Sequence, residues 1–309
     1  MPPVLYRQAE DGRHRRSRRQ VPQALRELIL PEHTPEITSK GAAKSAAPFA
    51  FWLLLLAVTL AGNLNRPALA AACPADHTSE RVHVVYIYDG DTVKLQDGRR
   101  VRFIGINTPE LEHKGKPVQP LAREARTSLV SLLDANSHTL LLQYGKQQHD
   151  HYGRVLAHAF LENGENVAAR LLRQGLATTL IVPPNTWGEH CYQGLENSAR
   201  AGRLGLWALD DYQSQEARSL PPDTRGFRIV NGRVTAIRRS RHNIWLDLED
   251  SLTVQIPVKS LANFGTFDFD TLTGQIIEVR GWIRPDRNKP KLKVQHPAAL
   301  VIMTTSQQP

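Results

Sequence analysis

Acidic residues and arginines recur in four short motifs in the middle third of the chain, at 89–92, 102–110, 150–154 and 173–177. Hydrolysis of a phosphodiester needs an activated water and groups that neutralise charge on a five-coordinate phosphorus. A hard cation held by carboxylate and carbonyl oxygens can bridge the water and the phosphate. Arginine suits the non-bridging oxygens, because its planar fork donates two parallel hydrogen bonds. The motifs supply groups of both kinds: Asp89, Asp91, Glu110, Arg102 and Arg154.

Each motif taken alone also has a purely structural interpretation. The Asp-Gly-Asp sequence at 89–91 is typical of a turn, Thr108 can cap a helix, and Tyr152 to Arg154 can form a hairpin corner. In combination, the order and spacing of the four motifs closely resemble the staphylococcal nuclease, or thermonuclease, family. The resemblance extends from about Val82 to Trp207.

This resemblance implies an oligonucleotide-binding (OB) barrel that binds one Ca²⁺ and hydrolyses DNA and RNA. It places Asp91 as the main carboxylate ligand of the metal and Asp89 as an acid beside it. Thr108 matches a ligand that uses its backbone carbonyl. Asn107 falls where a second metal-binding aspartate usually lies. This amide keeps an oxygen ligand but loses one negative charge, so we expect weaker Ca²⁺ binding.

The resemblance also assigns the catalytic roles. Glu110 matches the acid that orients or activates water, and Arg102 and Arg154 match the arginines that bind phosphate and stabilise the transition state. Three further candidates for substrate contact are Lys114, Lys116 and Tyr152, although the two lysines suit a solvated loop equally well. The family's tyrosines near the nucleotide are missing from the stretch after Ala177, which leaves substrate preference open.

The first 72 residues have the composition of a targeting region. Residues 1–48 form a basic polar leader that we expect to be disordered, and an apolar run follows at 49–62. This run is short for a membrane span and suits a signal-peptide core within 49–72, with small residues near a cleavage site at 70–72. The sequence therefore predicts export to the periplasm or the medium. The alternative is membrane anchoring by residues 49–62, with the leader retained.

Two globular segments follow, at 78–212 and 225–304, joined by a polar, proline-containing linker at 213–224. In the first segment, β-forming runs lie around the Asp97-Gly98 turn. Three helical patterns accompany them, at 120–133, 167–174 and 195–203. Together they predict an α+β OB-type barrel of five strands and three helices. In the second, five short β patterns between 228 and 294 predict another, mostly β, OB-like barrel.

The second segment contains many basic residues together with Trp245 and Trp282. An OB barrel with a positive groove and aromatic platforms can bind single strands. Alternatively, the tryptophans belong to the core and the charges form a solvated face. The whole chain has a formal charge of +9, which also suits a polyanionic partner.

Two cysteines, Cys73 and Cys191, are too few for a zinc site. They can form one disulfide in an oxidising compartment and would be ordinary thiols in the cytosol. Our leading hypothesis is a calcium-dependent nuclease for DNA and RNA with little sequence preference and no obligate protein partner. The alternative is a non-catalytic nucleic-acid-binding protein that retains the nuclease fold.

Overall fold

The computed structural model describes residues 72–112, 115, 117–286 and 289–304. The predicted leader and nearly all of the predicted signal segment, residues 1–71, therefore lie outside the described residues. Within the described ranges, no helix is long and apolar enough to cross a membrane.

Five strands form the first barrel: β1 Glu80–Ile87, β2 Thr92–Leu95, β3 Arg100–Phe103, β5 Thr139–His149 and β6 Val155–Phe160. They close in the order β1-β2-β3-β6-β5. Val82 and Val84 point into the core from alternate positions of β1, and an irregularity after Val84 moves the next inward position to Ile87. The predicted five-stranded barrel and the hairpin turn at Gly98 are confirmed.

The strand expected over 100–106 divides in two. After Ile104 the chain leaves the barrel as β4 Gly105–Asn107, which pairs antiparallel with β7 Thr178–Leu180. Gly105 makes this change of direction at φ 87°, where a Cβ atom would lie 2.4 Å from the Tyr192 ring. Only glycine tolerates both the conformation and the close approach.

Three helices pack against this barrel: α1 Ala122–Asp134, α2 Val167–Arg173 and α3 Glu189–Ala201. The first two match their predicted positions. The third begins at Glu189 rather than Leu195, so that prediction was wrong at its start. Its buried positions are Tyr192, Glu196 and Ala199. Because a charged residue occupies the middle position, the hydrophobic period does not reveal the buried face.

Cys73 and Cys191 form a disulfide, with Cα atoms 5.8 Å apart. The bond joins the segment before β1 to the first turn of α3. The predicted pairing is therefore confirmed in the structure. Asn166 supports the same segment by donating a hydrogen bond from Nδ2 to the Cys73 carbonyl at 3.1 Å.

A second five-stranded barrel, confirming the predicted OB-like architecture, closes through pairing of its first and fourth strands. Its strands are β9 Gly226–Arg239, β10 Asn243–Leu248, β11 Leu252–Pro257, β12 Ile276–Arg284 and β13 Lys291–Lys293. Two short strands extend the sheet, β8 Ser214–Glu216 and β14 Leu300–Ile302. The first of these lies inside the predicted linker and pairs in parallel with β9.

Helix α3 joins the two barrels through charged groups. Glu196, 1% exposed, accepts hydrogen bonds from the Thr179 N–H of β7 and from the Arg280 guanidinium of β12. One turn further along, Arg200 donates two hydrogen bonds to Glu278, each 2.8 Å long. A small apolar cluster of Ala199, Trp207 and Ile229 completes the contact.

The disulfide should contribute strongly to stability. Removing both cysteines, with Cys73→Ala and Cys191→Ala, releases a loop spanning 118 residues of sequence separation. The chain-entropy account gives a loss of about 4–5 kcal/mol for such a loop. Guanidinium unfolding of the double variant should resemble that of the wild type in reductant. Equal midpoints for the wild type with and without reductant would contradict this expectation.

Loss of the Arg280 side chain should be more costly than loss of Arg200. Arg280→Ala strands the buried Glu196 carboxylate, which typically costs about 3–5 kcal/mol. Arg200→Ala is the matched control, because its guanidinium is more exposed than that of Arg280. Thermal unfolding of the two variants gives the comparison. Equal destabilisation by both would show that Glu196 does not depend on Arg280.

The Arg200–Glu278 pair should be sensitive to acid. Burial alone would raise the pKa of Glu278, but the hydrogen bonds and charge of Arg200 outweigh it and lower that pKa below 4.5. This contribution is therefore present above the pKa of an unfolded glutamate and is lost as the pH falls through the lowered folded value. Acid unfolding of the wild type and Glu278→Gln should converge at low pH. A difference in stability between the two proteins that stays constant down to the lowest pH would contradict this prediction.

Candidate active site

The turn between β1 and β2 packs tightly against the segment that follows β4. A Cβ atom on Gly90 would lie 2.8 Å from Thr108 Cγ2 and 3.0 Å from Ala125 Cβ, so glycine permits this contact. Asp89 Oδ1 accepts the Asp91 N–H at 2.9 Å, which shapes the turn. The two predicted acids of this motif therefore lie on one rigid loop.

The Asp91 carboxylate is 3% exposed and is surrounded by donors. Its Oδ2 accepts the N–H of Thr108 at 2.8 Å and its hydroxyl at 3.1 Å. Its Oδ1 accepts the Thr92 hydroxyl at 2.9 Å and lies 3.0 Å from Nε of Arg102. Three hydrogen bonds and one ion pair therefore hold the Asp91 carboxylate in place.

The Arg102 guanidinium lies at the centre of the site. Besides its ion pair with Asp91, it donates through Nη1 to the Phe103 carbonyl and through Nη2 to Asn107 Oδ1 at 3.2 Å. Its side chain is largely buried. These contacts hold a delocalised positive charge beside the acids before any substrate arrives.

The Asn107 side chain contacts the carbonyl group of Thr108. Asn107 Nδ2 lies 3.3 Å from the Thr108 carbonyl oxygen, in hydrogen-bonding geometry. The Thr178 hydroxyl donates to the Asn107 carbonyl at 3.3 Å, tying this segment to β7. An aspartate at 107 would lack the amide donor, and its carboxylate would repel the Thr108 carbonyl unless a cation lay between them.

Negative charge is concentrated where the resemblance places the metal. Burial and the nearby Asp91 carboxylate raise the pKa of Asp89 to about 7, and Glu110 adds to the effect. Carboxylates that repel one another in this way would be stabilised by a divalent cation. The available donors are carboxylate, amide and carbonyl oxygens, which suit Ca²⁺. No group of three or more His, Cys, Asp or Glu side chains in the described residues forms a metal cluster by itself.

Glu110 is exposed, and its backbone is anchored through Gln119. The Glu110 N–H donates to Gln119 Oε1, and the Gln119 N–H donates to the Glu110 carbonyl, both at 3.0 Å. This reciprocal pair fixes the loop base that carries the predicted water-activating acid. Lys114 and Lys116, on the same loop, lie outside the described residues.

Arg154 lies at the start of the strand next to that of Arg102. Val101 of β3 pairs with Val155 of β6, and both valines point inward. Arg102, which pairs with Leu156, and Arg154, which precedes Val155, therefore lie on the outer face, two positions apart in the register. Asp150 orients Arg154 by accepting from its backbone N–H at 2.9 Å and from Nε at 2.8 Å.

The terminal nitrogens of Arg154 remain directed away from this ion pair. Within the described part of the chain, no protein acceptor binds them, so they are available for an anion. The exposed Tyr152 ring lies 5.6 Å from the guanidinium carbon. The sequence singled out both Tyr152 and Arg154 but missed the orienting role of Asp150, which its position within the same motif could have indicated.

Comparison with known proteins supports the resemblance. A family model described as "Staphylococcal nuclease homologue" matches residues 100–209. A thermonuclease of Staphylococcus intermedius is 32% identical over 135 residues, which cover 43% of this chain and 79% of that protein. A thermonuclease of Staphylococcus hyicus is 31% identical over 128 residues, covering 40% and 74% respectively. The chain belongs to the staphylococcal nuclease family.

The family match also extends to endonuclease YncB of Bacillus subtilis, 33% identical over 129 residues that cover 40% of this chain and 60% of that protein. The family model ends at residue 209, so the second barrel lies beyond the matched staphylococcal nuclease domain. Within the matched region, Asn107 remains the departure that bears on metal binding.

Asn107→Asp should strengthen Ca²⁺ binding. An added negative charge within about 4 Å of a divalent ion contributes attraction on the kcal/mol scale, so we expect a Kd at least about tenfold lower. Titration calorimetry with Ca²⁺ measures it. Asn163→Asp makes the same charge change on an exposed loop, where the oxygen that accepts the Glu165 N–H is kept. An unchanged Kd in Asn107→Asp would show that the lost charge is not limiting.

Proposed function

We propose that the protein is a calcium-dependent nuclease that hydrolyses phosphodiester bonds of DNA and RNA with little sequence preference. The observation that carries the proposal is the placement of two arginines on adjacent strands, beside a cluster of acids. Arg102 and Arg154 can approach one phosphate from the same face, where they lie two register positions apart. Sequence-independent phosphate contacts of this kind suit both DNA and RNA.

Asp91, Asp89, Asn107 and the Thr108 carbonyl would hold the cation. When bound, Ca²⁺ supplies charge neutralisation at the phosphate and a site for water. The ion pair with Asp91 keeps the Arg102 guanidinium beside these groups.

Glu110 and the two arginines have different roles in the reaction. Glu110 accepts a proton from, or orients, the attacking water, because a carboxylate at the edge of the acid cluster can act as a general base. Charge grows on the phosphoryl oxygens as the water attacks. The two guanidiniums, held in place before reaction, stabilise that charge more than the ground state.

We also propose that the protein acts after export from the cytoplasm. The disulfide between Cys73 and Cys191 supports this location, because such bonds persist in oxidising compartments. Membrane anchoring through residues 49–62 is the alternative form of the same proposal. Cell fractionation with a C-terminal tag distinguishes a released protein from an anchored one, and a cytoplasmic protein would contradict both.

A second candidate function is nucleic-acid binding without turnover. The Asn107 amide favours it, since this side chain bonds the Thr108 carbonyl instead of adding charge for a metal. The presence of Glu110 favours the enzyme, because binding alone has no need for a water-activating acid. Plasmid and RNA degradation, with Ca²⁺ and with chelator, separates the two functions.

Arg102→Lys, Arg154→Lys and Glu110→Gln should each reduce turnover and leave the fold intact. Loss of a well-aligned donor typically costs about 2.7–4 kcal/mol of transition-state stabilisation, or roughly 10²–10³ in rate. Lysine should rescue little, since an ammonium group cannot reproduce the bidentate fork. Steady-state kinetics at saturating Ca²⁺, with thermal melts to check folding, provide the measurement.

Arg81→Lys is a suitable control, because Arg81 lies exposed on β1 and pairs with Leu141 of β5, away from β3 and β6. Its guanidinium binds Glu162, which is not part of the proposed site. Its turnover should stay near that of the wild type. Near-wild-type turnover of all three active-site variants would mean that the active site is wrongly assigned.

A further inference from the structure

The outer face of β12 divides into two parts. Its inward positions are Ile277, Val279 and Ile283, so the alternate residues point outward. The first two outward charges, Glu278 and Arg280, are bound by α3, as described above. The next two outward residues are Trp282 and Arg284, which lie beyond the helix contact.

Trp282 is 42% exposed, so it does not belong to the core of the second barrel. The alternative in which both tryptophans belong to the core is therefore wrong for Trp282. Trp245 is only partly buried, and the Lys291 ammonium lies 5.3 Å from the centre of its ring. An exposed indole on a sheet surface can bury apolar area by stacking on another flat ring.

A cleft of about 570 Å³ connects this face to the active site. Asn107 and residues 178–182 line it from the first barrel, and Trp282, Arg284 and Lys293 line it from the second. Its volume falls in the range of about 300–1,000 Å³ that is usual for ligand sites. The cleft therefore begins at Asn107 of the candidate active site and continues onto the second barrel.

The cleft is extended by a neighbouring cavity of about 460 Å³. The two share Gln255 and Lys293, and the second cavity adds Arg241 and Lys259. In the described part of the chain, no carboxylate forms an ion pair with any of the four cations Arg241, Lys259, Arg284 and Lys293. Burial, together with the positive charges of Lys259 and Arg284, lowers the pKa of Lys293, as expected for a lysine that lies close to other cations.

We propose that this continuous groove binds a single-stranded stretch of polynucleotide adjoining the phosphate that is cleaved, with Trp282 stacking on a base and Arg284 and Lys293 binding phosphates. This inference rests on the proposed nuclease function and adds a second substrate site to it. Stacking requires an unpaired base, so a continuous duplex cannot use the platform. The buried pair of Glu196 and Arg280 fixes the groove relative to the β4–β7 pair that carries Asn107.

The test compares Trp282→Ala and the double variant Arg284→Ala, Lys293→Ala with Arg233→Ala. The control variant removes one positive charge at the other end of the β9–β12 pairing. Arg233 pairs there with Ile276, whereas Trp282 pairs with Phe227. Binding is measured by fluorescence polarisation with a labelled oligothymidylate of about 16 nucleotides, the upper end of an OB-fold site. All variants carry Glu110→Gln, so that the probe survives.

We expect Trp282→Ala to weaken binding of the single strand by about 5-fold to 100-fold and to affect a blunt duplex of equal length much less. The double variant should lower the slope of log K against log salt by about 1.4, or about 0.7 for each phosphate that is no longer neutralised. Arg233→Ala should behave like the parent. Equal weakening for single strand and duplex, or unchanged binding in Trp282→Ala, would overturn the proposal.

A second measurement separates this groove from the nuclease function. With Glu110 intact, the ratio of kcat/KM for the long oligonucleotide to that for a dinucleotide should fall in Trp282→Ala. If the wild-type protein binds the single strand specifically but does not cleave it, the proposed function is refuted and the groove is kept. Cleavage with an unchanged ratio would keep the function and refute the groove.

Discussion

The buried carboxylate of Asp91 organises the active site, because it binds two other chain segments besides its own turn. It accepts hydrogen bonds from the neighbouring Thr92 and from the Thr108 segment after β4, and it forms an ion pair with Arg102 on β3. A buried carboxylate without partners would be costly, so each of these segments is held in place by the need to satisfy it. The geometry around the phosphate-binding arginine is therefore set before any ligand is present.

A second buried carboxylate, Glu196, extends this order to the other barrel. It joins α3 to Thr179 on β7 and to Arg280 on β12. Since β7 pairs with the strand that ends at Asn107, the second barrel is tied to the active site through only a few residues. A truncation within the expected linker would remove β12 and leave Glu196 without its cation. The second barrel is thus better studied by single substitutions than by removal.

Much of the local structure could be predicted from the sequence, since its causes are local. Alternating residues predicted the barrel strands, and the spacing of Ala125, Leu129 and Leu133 predicted α1. The start of α3 was missed because Glu196 is charged, and hydrophobic periodicity treats a charged residue as exposed. Strand 100–106 divides at Gly105 because the Tyr192 ring, far along the chain, occupies the space that a side chain there would need.

The sequence by itself determined the identities of the acids and arginines of the site, the presence of two β-rich segments and the family resemblance. These follow from residue type and spacing along the chain. Only the tertiary structure decided that Asp91 binds Thr108 and Arg102 together and that Asp150 orients Arg154. It also decided that Glu196 finds Arg280, 84 residues away in sequence. The physical reason is that a charge carries no mark of burial in the sequence, and its partner is chosen by packing between distant elements. The exposure of Trp282 in a cleft was likewise decided by packing, because it depends on how β12 lies relative to the first barrel.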